Sequence, residues 1–188
     1  MKEDRNRISR VTTRSGDQGE SSLADGSRMA KDAAPMEAMG ELDELGSAIG
    51  VLVARQPGED IEEILLEVQQ KLFDLGAEIA LPGTAKLTDT DVEGLEQWQA
   101  QYSEALPPLK EFVLAGGAPA AAWCHHVRTL ARRAERRLVH LHHQQAQNPA
   151  SLRYLNRLSD LLFVLARTLN HRVEHPEILW RNPVPPSG

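Results

Sequence analysis

The chain has 188 residues, 41% hydrophobic and 26% charged, which suits one globular domain, 1–188, with room for a real core. A net charge of −6 argues against a nucleic-acid binder with a uniformly basic surface, and no apolar run approaches the roughly 20 residues of a membrane helix. A lone cysteine, Cys124, leaves no internal disulfide and fits a reducing compartment; with a polar start lacking a secretory pattern, the expected location is the cytoplasm.

In chain order, residues 1–10 carry mixed charge and are expected to be flexible. Residues 11–34 hold a loop, Thr12-Thr13-Arg14-Ser15-Gly16-Asp17-Gln18-Gly19-Glu20-Ser21-Ser22-Leu23, with no helical or strand period. Two glycines flanked by hydroxyls can bring backbone N–H groups close to an anion, although the same composition also describes an ordinary surface turn. Arg28 and Lys31 follow it.

A helical pattern begins at Pro35 and runs through Met36, Met39, Leu42, Leu45, Ile49 and Leu52. Gly58 separates it from a second stripe, Ile61 to Ile79, that stops before Leu81-Pro82-Gly83. A third helix starts at a Thr88 or Asp89 cap and continues through Leu106 to Pro107-Pro108. After the apolar run Phe112–Ala115 and a glycine pair, a fourth helix spans Pro119 to about Gln147. A fifth follows Asn148-Pro149 to about Glu174, and the tail 181–188 reads as extended. Five long helices with short connections over 35–180 predict an all-α, five-helix bundle.

The fourth helix concentrates charge. Arg128, Arg132 and Glu135 lie within about 60° of one another at 100° per residue, with Arg133, Arg136 and Arg137 to either side. Such a cluster is either a solvated face or a grip for an anion, which arginine holds by a planar two-pronged contact. On the fifth helix Asn156 and Asp160 share a face, and Asp160 could meet an arginine of the fourth. Glu37, Glu41, Asp43 and Glu44 on the first helix match either acid–base or metal chemistry, or the ordinary bias for acids early in a helix. His140, His142 and His143 lack the Glu-x-x-His spacing of di-iron bundles. No P-loop and no nucleophile motif occurs, so an enzyme of this sequence needs a substrate that brings its own reactivity.

Taken together, several stretches resemble the PduO-type ATP:cob(I)alamin adenosyltransferases. They are Thr13–Gly19 with Ser21-Ser22-Leu23, Gly40–Leu45, Leu72–Gly76, Phe112–Gly117, Arg128–Arg136, Tyr154–Asp160 and Leu179–Asn182, in the family's order over roughly 8–182. The resemblance implies a homotrimer with sites between subunits. The reaction it implies moves the 5′-deoxyadenosyl group of ATP to the cobalt of reduced cobalamin, releasing triphosphate, with Mg²⁺ on the triphosphate rather than on protein side chains. It also implies the site residues. Thr13, Arg14, Ser15, Gly16, Asp17, Gly19, Ser21, Ser22 and Lys31 would hold ATP from one subunit, and Arg132, Arg133, Glu135, Arg136 and Asn156 from a neighbour. Asp43 and Arg128 would bridge subunits near the corrinoid, Phe112 would pack on the lower corrin face, and Asp160 would orient an arginine of the ATP site. A reductase and an adenosylcobalamin-dependent enzyme are the implied partners. Gln18, Thr12, Ala115, Gly46 and Leu161 stand where the family commonly has lysine, tyrosine, proline, asparagine and tyrosine. The alternative on the same bundle is a non-catalytic corrinoid carrier, which would need neither the glycine loop nor the Arg132/Glu135 set.

Overall fold

A computed structural model describes residue 12 and residues 14–181. The expectations for Thr13, for a flexible stretch 1–10 and for an extended tail at 182–188 lie outside the described residues. Two short strands, β1 (Glu20–Ser22) and β2 (Arg28–Ala30), precede five helices: α1 (Ala34–Val53), α2 (Glu59–Ala80), α3 (Asp89–Ser103), α4 (Pro119–Gln144) and α5 (Pro149–Arg172).

The hairpin corrects the expectation of a loop without strand character. Strands of three residues are too short to leave an alternating pattern, so the turn makes the hairpin. Asp25 Oδ1 accepts from Ser27 N at 2.8 Å and from its hydroxyl at 2.6 Å, while Gly26 takes φ +84°. Antiparallel pairing then sets Glu20 opposite Ala30, Ser21 opposite Met29 and Ser22 opposite Arg28. Ala24 N donates to Ala80 O at 3.2 Å, which ties the hairpin to the end of α2.

Helix boundaries follow local chemistry. Pro35 sits in the first turn of α1, and Gly58 at φ +106° starts α2. Thr88 and Asp91 form a reciprocal capping box on α3. That helix ends at Ser103, short of the expected Leu106, because the Leu106-Pro107-Pro108 run disfavours helical backbone ahead of each proline. Helix α4 ends at Gln144 rather than Gln147: Gln147 N turns back to donate to His142 Nδ1 at 3.0 Å. Asn148 then caps α5 by accepting from Ala150 N at 3.0 Å. Helix α5 stops at Arg172, two residues early.

In the bundle α4 lies between α1 and α5, α3 packs on α5, and α2 packs on α1. Leu45, Ile49, Leu65, Leu95, Leu155, Leu158 and Leu165 are fully buried, each contributing about 1.5–3 kcal/mol of hydrophobic stabilisation. Cys124 is buried too, its thiol donating to Leu162 O at 3.2 Å, and burial pushes that thiol well up from its ordinary range.

Two polar features fix how the helices meet. Glu78 is 6% exposed and accepts from Leu87 N at 2.8 Å, Asn148 Nδ2 at 3.0 Å, Lys86 N and the Ser151 hydroxyl. One carboxylate thereby joins α2, the loop before α3 and the start of α5. Asp60 at the start of α2 takes a two-pronged contact from Arg172 and a 2.7 Å hydrogen bond from Tyr102, joining α2, α5 and α3. Arg172 holds the Asp60 carboxyl well below its usual range, and burial with Asp60 beside it pushes Tyr102 up to about 12.

Candidate active site

One face of α4 and α5 opens a cleft of about 310 Å³, lined by Arg128, Arg132, Ser159, Asp160 and Phe163, with Gln99 from α3 at its edge. Arg132 and Glu135 pair at 3.0 Å on successive turns, with Arg132 half-exposed and Glu135 mostly covered. Glu135 Oε2 nonetheless lacks an aligned hydrogen-bond donor, so the contact is an ion pair rather than a hydrogen bond. Arg128 lies with its guanidinium carbon 6.0 Å from the Phe163 ring centre, and its buried Nε has no hydrogen-bond partner among the described residues. Asn156 is half-buried one turn before Asp160, and Arg136 is exposed one turn beyond Arg132. Asp160 is exposed in the cleft and forms no ion pair with either arginine, so the pairing expected for it is absent among the described residues.

Arg133 points elsewhere. Successive residues on a helix stand 100° apart, and Arg133 reaches α1, where it pairs with Glu41 and Glu44. Arg137 does the same with Glu37 at 3.1 Å. The acids of α1 that left acid–base or metal chemistry open are thus largely charge partners of α4. Asp43 is the exception. It is exposed and lines a second cleft, about 640 Å³, between α1 and α2 beside Ser47, Gln70 and Phe73. Neither Asp43 nor Arg128 has an ion-pair partner among the described residues.

The glycine loop is shaped by its hairpin. Lys31 N donates to Gly19 O at 2.8 Å, and a Cβ on Gly16 would lie 3.0 Å from Lys31 Nζ, so the ammonium rests where Gly16 has no side chain. Arg28 donates to Ser15 O at 2.9 Å and pairs with Glu20 at 3.1 Å, spending its charge inside the loop. Arg14 is exposed at φ +61°, with Asp17, Gly19 and Ser22 exposed beside it and Ser21 half-buried. The arrangement is an open rim on which Arg14 and Lys31 are the cations not paired with Glu20. No residue of 14–31 lines the Arg132 cleft.

Phe112 stands apart on the segment before α4, 77% exposed, its one ring contact among the described residues an edge-on approach to Trp180 at 6.4 Å. Its backbone is held: Trp180 N donates to Phe112 O at 2.7 Å and Leu114 N to Ile178 O at 2.8 Å. Phe163, Trp180 and Gln99 belong to these surfaces, yet none stood out as a site residue in the sequence. For the aromatics the available signal was scarcity, since aromatics are 4% of the chain and three of them lie on these two surfaces.

The family model for cobalamin adenosyltransferase matches residues 11–169. A cobalamin adenosyltransferase of Cupriavidus metallidurans is 48% identical over 177 residues, covering 94% of this chain and 96% of that one. A corrinoid adenosyltransferase of Bacillus subtilis is 42% identical over 170 residues, covering 87% and 88%. Among solved structures, a variant PduO-type ATP:corrinoid adenosyltransferase from Lactobacillus reuteri complexed with cobalamin and ATP superposes with a TM-score of 0.87 at 32% identity, covering 92% of this chain and all of that one.

Proposed function

The chain belongs to the cobalamin adenosyltransferase family, and from that premise we propose how its two half-sites divide the work. It is an ATP:corrinoid adenosyltransferase, transferring the 5′-deoxyadenosyl group of ATP to the cobalt of a reduced corrinoid. The non-catalytic carrier gives way to this reading.

Cobalt(I) supplies the electron pair. It attacks C5′ of ATP, the cobalt–carbon bond forms, and the C5′–O bond breaks with triphosphate leaving on that electron pair. No protein nucleophile is needed, so the chain's own residues align the reactants and neutralise the leaving group. We assign Lys31, Arg14 and the hydroxyls of Ser15, Ser21 and Ser22, with Thr13, Gly16, Asp17 and Gly19, to ATP on one subunit. Arg132, kept in orientation by Glu135, would meet the triphosphate from the next subunit together with Arg136 and Asn156. Arg133 enters only through the α1 carboxylates it pairs with. Mg²⁺ would accompany the triphosphate and neutralise part of its charge.

Asp43 and Arg128, unpaired within one chain, would pair across the interface of a homotrimer, and Asp160 would steer Arg132 once ATP arrives. Phe112 would cover the lower corrin face, keeping water and the lower ligand off cobalt(II), which would then be four-coordinate and easier for a separate reductase to reduce by one electron. A reducing, cytoplasmic setting suits that chemistry, as does delivery to an adenosylcobalamin-dependent enzyme.

The observation that carries the proposal is the pair of open surfaces that offer a cation, the loop with Lys31 and the cleft with Arg132, since no residue of the loop lines the cleft. Protein mixed with ATP, Mg²⁺ and chemically reduced cobalamin should give the spectrum of the cobalt–carbon product, with one triphosphate per product. ATP consumed to diphosphate and phosphate, with no cobalt–carbon product, would overturn it.

A further inference from the structure

We propose that Asn170, in the last turn of α5, is a positioning residue that sets where Phe112 stands; this rests on the reading that Phe112 faces the corrinoid. Asn170 is 1% exposed, yet two segments outside α5 meet on it. Its Oδ1 accepts from Ala118 N at 2.9 Å, and its Nδ2 donates to Gly116 O at 3.3 Å. Its main-chain carbonyl accepts from His175 N at 2.9 Å. One side chain therefore fixes the end of the Phe112 segment, and the same residue's backbone fixes the start of the chain leading to Ile178–Trp180.

The fit at Gly117 is close. At φ +109° it has a conformation that disfavours side chains, and a Cβ there would fall 2.1 Å from Asn170 Oδ1. The start of the Phe112 segment is tied by Arg167, 7% exposed, which donates to Pro107 O at 2.8 Å and also to Glu177 at 3.1 and 3.2 Å. The Phe112 segment is thus held on both sides, and the strand-like partner at 178–180 at its start, by two buried polar residues of α5.

Phe112 has reason to need this. A ring that is 77% exposed, with one edge-on neighbour, gets little orientation from packing. Its placement depends on its backbone, and that backbone is held by Asn170, Arg167 and the pairing with 178–180. A residue meant to press on a flat macrocycle gains from such fixing, since preorganised contacts cost less ordering on binding. If Asn170 only completed hydrogen bonds at the start of α4, its loss would lower stability without selecting one step of the reaction.

The test compares Asn170→Ala, Phe112→Ala and the double variant, each read by ATP affinity, by turnover from cobalt(II) and from cobalt(I) cobalamin, and by the electron paramagnetic resonance signal of four-coordinate cobalt(II). Asn170→Ala should keep ATP affinity within about twofold while turnover from cobalt(II) falls about tenfold or more and the four-coordinate signal shrinks, as the loss of buried hydrogen bonds predicts. The double variant should be no worse than Phe112→Ala alone. Should Asn170→Ala fail to fold, Gly117→Ala keeps Asn170 but displaces its carboxamide, and should show the same selective loss. A full four-coordinate signal in the variant, or additive losses in the double variant, would overturn the proposal. Phe112→Ala retaining the full signal would instead fell the reading of Phe112, and the proposal with it.

Discussion

Arg132 and Arg133 are neighbours in sequence with different work. Arg132 faces the cleft on α4 and α5, half-exposed with one ion pair, whereas Arg133 is committed to Glu41 and Glu44 of α1. Arg132→Ala should therefore weaken ATP binding roughly 10- to 100-fold, the worth of one charge-assisted contact, and leave the melting temperature nearly unchanged. Isothermal titration with a non-reacting ATP analogue and thermal unfolding check both halves; unchanged affinity would remove Arg132 from the site. Arg133→Ala should reverse the balance, with little change in ATP affinity and a small loss of stability, since exposed ion pairs contribute at most about 1 kcal/mol each. The cluster of arginines was legible in sequence, but its division was not, because which of two adjacent faces meets α1 depends on where α4 packs.

The helices were the most legible elements, since their leucine stripes recur at three and four residues and prolines or glycines mark their starts. The hairpin was illegible for want of length. So were the polar residues inside the bundle: Glu78 and Asn170 look like surface positions within a helical pattern, and burial shows only once partners from distant segments are in place. Glu78→Ala should cost about 3–5 kcal/mol by leaving four donors without their carboxylate, measured by denaturant unfolding. A loss below about 1 kcal/mol would mean the junction repacks. Asp60 gives a pH signature. Its carboxyl lies below its ordinary value of 3.8 in the folded state, so its stabilisation is fully present above that pH and fades as pH falls toward the folded value. Asp60→Asn should thus melt below the parent at pH 7, by under about 1 kcal/mol given its exposure, and the gap should close below about pH 4.

At the scale of the molecule, the halves of the site lie on different surfaces of the bundle: the loop at the end of α2, the Arg132 cleft on α4 and α5. The sequence listed both in order along the chain but held nothing about their separation in space, which arises from α4 lying between α1 and α5. A homotrimer that joins one chain's loop to the next chain's cleft is the account's central claim, and subunit mixing tests it most directly. Lys31→Ala and Arg132→Ala, assayed at ATP far below either variant's weakened affinity so that each alone shows little turnover, are unfolded together and refolded as mixed assemblies. If the site is shared, about one site in four pairs an intact loop with an intact cleft, and adenosylation returns to about a quarter of the parent rate. Assemblies shown to be mixed by mass, yet as inactive as either variant alone, would contradict it.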